Sequence, residues 1–417
     1  MDIDIHNIFS TYEKRFDRAR EARKIYRPWI EEEKSEIIQL VKKSLGFKNQ
    51  LVPEIKSEVF KTEQRKDYDI QFLKFTSWEN VFGAALLYMP KRRKQKNPFV
   101  LICCGHGAYG KLNPGYQALA GILAQMGIIT LMPDNIGQGE RVHMGHKEAV
   151  VPLSCGLTIQ GLIVMETMAW LAWAKNELPI DFGKMAAVGN SGGGTLTSFL
   201  SVLCPELPVL SSSGHPGSLE FIARKEKQHC ACNIVPGYAG KFEMWQLYGC
   251  FSPKHLFLFQ GRNDHLFPED LFYSNARKTS MVYEAMNAPH MLRTEIMPGY
   301  HPWDNERRQK LACFLAEQFD LPLPEQPEDD CLTSDDTCFT HWPREAITVN
   351  ELSRRLSGCT APDDLRLWDI FPPDIPECEI RQITPRGDTR WILAQYEAFL
   401  SDKKYFHRPH RGQWFVV

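Results

Sequence analysis

Net charge is nearly absent from this chain. Its 49 lysines and arginines face 51 aspartates and glutamates, a formal charge of −2. That removes the electrostatic case for a nucleic-acid partner or an anionic membrane surface. A membrane-spanning run is missing too. The most apolar helical stretch, residues 156–175, is broken by Gln160, Glu166 and Thr167, so it reads as a buried or amphipathic helix. The opening residues lack the basic start and apolar run of a secretory signal. The 12 cysteines show no zinc-knuckle spacing: Cys230 and Cys232, beside His229, form C-A-C with no second pair nearby in sequence. From these absences we expect reduced thiols, a cytoplasmic location and no metal. What is present is an ordinary globular composition, 43% hydrophobic and 24% charged over 417 residues, ample for one large core with accessory segments.

Patterning divides the chain into four parts. Residues 1–67 are expected to be an N-terminal helical segment. Ile8, Phe9 and Tyr12, then Ile37, Ile38, Val41 and Leu45, recur at helical spacing, with Pro28 as a break and Gly46 as a stop. Residues 68–321 start with a hairpin (68–77 and 81–89) and a basic connection, 91–97. Short apolar strands at 99–103, 128–132, 185–188, 209–212, 255–259 and 292–297 then alternate with helical stretches near 115–126, 157–177, 193–203, 269–287 and 304–319. That alternation predicts an α/β fold, a mostly parallel central sheet flanked by helices. In such sheets reactive groups belong on loops at the carboxyl ends of strands. Residues 322–336, rich in proline and acid, read as a linker or exposed loop, and 337–417 as a C-terminal extension of unknown role. Its one clear helix is capped by Thr348 and Glu351 and closed by Gly358.

The chemistry centres on G-N-S-G-G, Gly189 to Gly193. It follows a strand and opens a helix, the setting of a nucleophile elbow, which lifts a serine hydroxyl clear of the sheet. A serine hydroxyl is a weak nucleophile until a base takes its proton, so Ser191 needs a histidine and an acid to orient it. The loop after strand 255–259 supplies Asp264, and the loop after 292–297 supplies His301. Competitors fit less well. Asp270 lies in the following helix, Asp304 comes after the histidine, His265 should point away from its neighbour, and His290 precedes its strand. The amide of Gly192 is one candidate oxyanion donor. A second comes from C-C-G-H-G-A-Y-G (103–110), with Ala108 as first choice and Tyr109 as second. His106 in that loop reads as structural.

These pieces, with L-L-Y-M-P, M-P-D-N-I-G-Q-G-E-R, G-R-N-D-H-L-F-P and the terminal G-Y-H, resemble the α/β-hydrolases from Tyr68 to Phe319. Within that superfamily they are most similar to the acetyl-xylan-esterase and dienelactone-hydrolase-like group. H-C-A-C-N-I-V-P-G-Y (229–238) also looks like a stretch of esterase-like members. The resemblance implies the α/β-hydrolase fold and hydrolysis of a small-molecule ester through an acyl-enzyme, with no metal or organic cofactor. Asn190 departs from the histidine or glutamine often found before the nucleophile.

The expected activity is therefore that of a serine esterase acting on a small acyl group of a carbohydrate or secondary metabolite. Two other readings stand beside it. One is an acyltransferase or thioesterase with the same triad, and the other is an inactive binding protein on the same fold. Glu140 is read as contacting a polar substrate or pairing with Arg141 at the surface. His215 either lines the pocket or is structural. Tyr109, Tyr238, Phe242 and Trp245 are candidates for lining a cleft.

Overall fold

Apolar residues on both sides of the strands decide the architecture. In Asn97–Cys103, residues Phe99, Leu101 and Cys103 join the core on one face of the sheet, and Val100 and Ile102 join that on the other. Successive side chains of a strand point to opposite faces, so such a strand must be covered twice. The computed structural model describes residues 31–363, other than 93, 147–149, 216, 218–229, 234, 236–241, 325–330 and 334. Ile8, Phe9, Tyr12, Pro28, His229 and Tyr238 lie outside the described residues.

The chain opens with α1 (Glu31–Leu45) and continues through β1 (Lys56–Gln64), β2 (Tyr68–Thr76), β3 (Phe82–Pro90) and β4 (Asn97–Cys103). Next come α2 (Pro114–Gln125), β5 (Ile129–Pro133), α3 (Val150–Ser154), α4 (Ile159–Glu177), β6 (Ile180–Asn190) and α5 (Gly192–Leu203). Then follow β7 (Val209–Ser213), α6 (Met244–Gly249), β8 (His255–Gly261), α7 (Glu269–Ala285) and β9 (Leu292–Met297), and finally α8 (Asn305–Phe319) and α9 (Val349–Ser357). Among the described residues the strands form one nine-stranded sheet in the order β1-β2-β3-β5-β4-β6-β7-β8-β9. Strands β4 to β9 run parallel, while β1 to β3 are antiparallel neighbours and β3 meets β5 antiparallel. Because β5 and β6 lie on opposite sides of β4, the winding reverses there. A crevice opens at the carboxyl ends of the strands at such a switch point.

Leu119, Ile122 and Leu123 of α2, with Leu311, Phe314 and Leu315 of α8, cover one face. Leu162, Val164 and Trp170 of α4, Leu196 and Phe199 of α5, and Ile37, Val41 and Leu45 of α1 cover the other. Each such side chain contributes about 1.5–3 kcal/mol on leaving water.

The structure departs from the expected divisions in two places. The sheet begins before residue 68, because β1 pairs with β2 from Lys56↔Thr76 to Gln64↔Asp69. Most of β1 is exposed and its sequence, K-S-E-V-F-K-T-E-Q, is that of a charged edge strand, which conceals it from a periodicity reading. The second departure concerns the acidic linker and the extension. Leu332, Cys338, Ile347, Val349 and Leu352 are buried in the core clusters, and the Leu332 amide donates to Gln117 Oε1 at 2.7 Å. Residues 331–333 and 335–363 therefore pack against the sheet domain. The capped helix predicted there is α9, with Thr348 as its N-cap and Gly358 at φ 71 closing it.

No helix among the described residues is long and apolar enough to cross a membrane. All eleven cysteines among them are unbridged.

Candidate active site

Ser191 lies between β6 and α5 at φ 61, ψ −123, a conformation that L-residues avoid and that costs about 1–3 kcal/mol. The neighbouring glycines make the turn possible. A β-carbon at Gly193 would collide with the Cys103 carbonyl, and one at Gly189 with the Gly193 carbonyl. The Ser191 amide donates to the Ser213 carbonyl at 3.0 Å, and the amides that open α5, like those of any helix, have no acceptors inside it.

Asp264 and His301 reach each other from the loops after β8 and β9, with His301 Nδ1 and Asp264 Oδ2 2.8 Å apart. A carboxylate only accepts, so Nδ1 carries the proton and Nε2 the lone pair. That Nε2 is buried and has no hydrogen-bond partner among the described residues. The other Asp264 oxygen accepts from the Leu266 and Phe267 amides at 2.9 and 3.3 Å. Burial alone would raise the Asp264 pKa, but the hydrogen bond and charge of His301 and the two amides outweigh it and hold the carboxyl below its ordinary value.

Asn190 links the elbow to the histidine loop. Its Nδ2 donates to the His301 carbonyl at 3.2 Å and its Oδ1 accepts from Ser213 Oγ at 2.8 Å. Trp303 Nε1 in turn donates to that hydroxyl oxygen at 2.7 Å. The departure noted at Asn190 is thus a buried brace. Nothing in the sequence pointed to Ser213 or Trp303.

The loop after β4 is pinned at several points. The Gly105 amide donates to the Tyr116 hydroxyl at 2.8 Å and that of Gly107 to Gln138 Oε1 at 3.0 Å. The Gly110 amide donates to the Gly107 carbonyl at 3.3 Å. Ala108 and Tyr109 lie between these anchors, both exposed, Tyr109 by 56%.

Two of the competing residues are engaged elsewhere, and two lie at the surface. Asp304 caps α8 and pairs with Arg307 at 2.6 Å. His290 acts electrostatically on His255 at the amino end of β8, opposite the site. Asp270 lies in the first turn of α7, and His265 is exposed.

Three residues expected to contact substrate are turned inward. Glu140 is nearly buried, pairs with Lys111, and accepts the Cys338 and Phe339 amides at 2.8 and 2.9 Å. Lys111 also meets Asp134 at 2.8 Å. Burial lowers the Lys111 pKa, yet the two carboxylates more than reverse this and hold it above its ordinary value. Arg141 is fully buried and grips Glu166 of α4 with two bonds of 2.6 and 2.9 Å, so the charge that interrupts the apolar helix has its partner there. Neighbours in sequence do not face each other on a helical turn, which is why the Glu140–Arg141 pair does not form. His215 is 3% exposed, its Nε2 2.6 Å from the Tyr248 hydroxyl, and burial pushes its pKa down to about 3. Trp245 and Phe242 are buried in the core. Of the expected cleft aromatics among the described residues, Tyr109 alone remains exposed.

The expectation about cysteines also changes in space. His106 Nε2 lies 3.0 Å from His146 Nε2 and 3.1 Å from Cys232 Sγ, with Cys230 close by. The C-A-C pair does have partners, supplied by two other loops.

No known family profile matches this sequence, and no curated protein sequence does. Solved structures do. A methylesterase superposes with a TM-score of 0.66 at 17% identity, over 82% of this chain and 78% of its own. A glucuronoyl esterase from Solibacter usitatus gives 0.54 at 12%, over 69% and 92%. A Bacteroides fragilis protein assigned as an acetyl xylan esterase gives 0.52 at 14%, over 70% and 82%. At such identities the likeness concerns the fold, and the chain has the α/β-hydrolase fold expected from its motifs.

Proposed function

We propose, with the α/β-hydrolase fold as premise, that this protein is a serine esterase whose nucleophile is Ser191. The observation that carries the reading is the strained elbow at Ser191 on the same sheet edge as the Asp264–His301 pair. Ser191 Oγ attacks the ester carbonyl carbon while His301 Nε2 takes its proton. Negative charge gathers on the carbonyl oxygen, where the Gly192 and Ala108 amides donate to it. Asp264 keeps the imidazole in the correct tautomer and stabilises its protonated form. The tetrahedral intermediate expels the alcohol, which receives the proton from His301, and an acyl-serine remains. Water, deprotonated by the same histidine, then attacks the acyl carbon, the bond to Ser191 Oγ breaks as that oxygen takes the proton back from His301, and the acid leaves. Bonds between nucleophile and base often close only as substrate seats, in keeping with an unpartnered Nε2.

Similar structures bear the names methylesterase, glucuronoyl esterase and acetyl xylan esterase. They favour an ester carried by a carbohydrate over a thioester or an acyl-transfer reaction. Tyr109 is the candidate wall for the leaving group. The decisive experiment combines a fluorophosphonate probe with a panel of acetyl and methyl esters on wild type and Ser191→Ala. Labelling at Ser191 and loss of turnover in a folded variant support the reading. Unchanged turnover in Ser191→Ala rejects Ser191 as the nucleophile, and no labelling together with no turnover in wild type favours a binding protein.

A further inference from the structure

Beside Gly192 the fold gathers four metal-ligating side chains that ester hydrolysis does not require. The ligand atoms of His106, His146, Cys230 and Cys232 all lie within 4.8 Å of one another. His106 follows β4, His146 follows β5, and the two cysteines follow β7. We propose that these four residues bind one zinc ion in a closed, tetrahedral site that fastens the loop after β4 to its neighbours.

The distances fit. With Zn–N of about 2.0–2.1 Å and Zn–S of about 2.3 Å, a tetrahedron needs N···N of about 3.3 Å, N···S of about 3.5 Å and S···S of about 3.8 Å. The observed 3.0 Å between the imidazole nitrogens and 3.1 Å from nitrogen to sulfur are within a few tenths of those values. The tautomer fits as well. His146 Nδ1 is 2.7 Å from the Ile136 carbonyl oxygen, and since that oxygen only accepts, Nδ1 holds the proton. The lone pair of the neutral ring is then on Nε2, which faces the cluster. A carbonyl behind the ring is the usual device that orients a metal-binding imidazole. Two nitrogens and two sulfurs select zinc over magnesium or calcium, which prefer oxygen. Four protein ligands close the coordination shell, so the role is structural.

The consequence reaches the catalytic side. A β-carbon at Gly192 would collide with the His106 ring, so that ring packs directly against the residue after Ser191. Zinc on His106 would fix the spacing between Gly192 and the loop that carries Ala108. The proposal is independent of the esterase reading, because metal content is measured without substrate.

The test uses full-length protein without an affinity tag, purified in reductant and without chelator. Elemental analysis should find about one zinc per chain. Cys232→Ser and, from a different loop, His146→Ala should each lower occupancy at least about tenfold. Cobalt(II) exchanged into wild type should give a thiolate charge-transfer band and the visible bands of tetrahedral cobalt. If the variants fail to fold, the wild-type cobalt spectrum decides. Folded wild type with no zinc and no cobalt–thiolate band overturns the proposal, as does full zinc retention in both folded variants.

Discussion

Ser191 carries its strain in the backbone, and that makes the elbow testable apart from its chemistry. Glycine reaches φ 61, ψ −123 without penalty. Ser191→Gly should therefore abolish ester turnover while raising unfolding stability by about 1 kcal/mol, after the extra entropy of a glycine in the unfolded chain is subtracted. Urea denaturation checks it, and a destabilised variant would argue against a strained turn. Asp264→Asn should cut kcat/KM by roughly 10³–10⁴-fold by allowing the wrong histidine tautomer, as steady-state kinetics would show. His215 makes a pH prediction. Its folded pKa, about 3, lies below the ordinary histidine value of 6.5, so below pH 6.5 the unfolded chain binds a proton that the folded one refuses. Stability should fall toward acid by at most about 1.4 kcal/mol per pH unit from this group. In His215→Asn the slope of stability between pH 6.5 and 4.5 should be shallower by up to that amount. Asp264 acts on the same side: its depressed pKa gives stability that is present above the ordinary carboxylate value and lost as pH falls through the folded one.

At the scale of elements, buried ion pairs tie the loops to the sheet. Lys111, in the turn before α2, joins Asp134 after β5 to Glu140, which in turn holds the amides of Cys338 and Phe339. Lys111→Ala would leave two carboxylates buried without their cation. We expect a loss of about 3–5 kcal/mol, read by chemical denaturation. The change should exceed the sum of ordinary surface substitutions, because the same residue ties the loop after β4 to Asp134 and, through Glu140, to the segment around Cys338. Arg141 and Glu166 do the equivalent work between the turn after β5 and α4. Sequence reading found Glu166 only as a break in an apolar run and Arg141 only as a neighbour of Glu140. The partner of each was 25 residues away, beyond any periodic signal.

For the whole molecule, residues 331–333 and 335–363, the end of the expected linker and the described part of the expected extension, pack into the core clusters of the sheet domain. Val349 and Leu352 are 0% and 1% exposed within the main core cluster. Leu352→Ala should cost about 2–5 kcal/mol, and fluorescence and far-ultraviolet circular dichroism should report coincident transitions. Separate transitions would mean that α9 unfolds by itself. The sequence alone determined the parallel αβ alternation, the elbow at Ser191 and the strand ends after which Asp264 and His301 fall. Those are local patterns, set by side-chain period and turn chemistry over a dozen residues. Only the tertiary structure decided that Glu140, His215 and Trp245 face inward, that an exposed, charged strand β1 extends the sheet, and that His106 lies beside His146 and Cys232, 40 and 126 residues further on. Loop convergence at one sheet edge depends on strand order, and strand order is written in no short stretch of the chain.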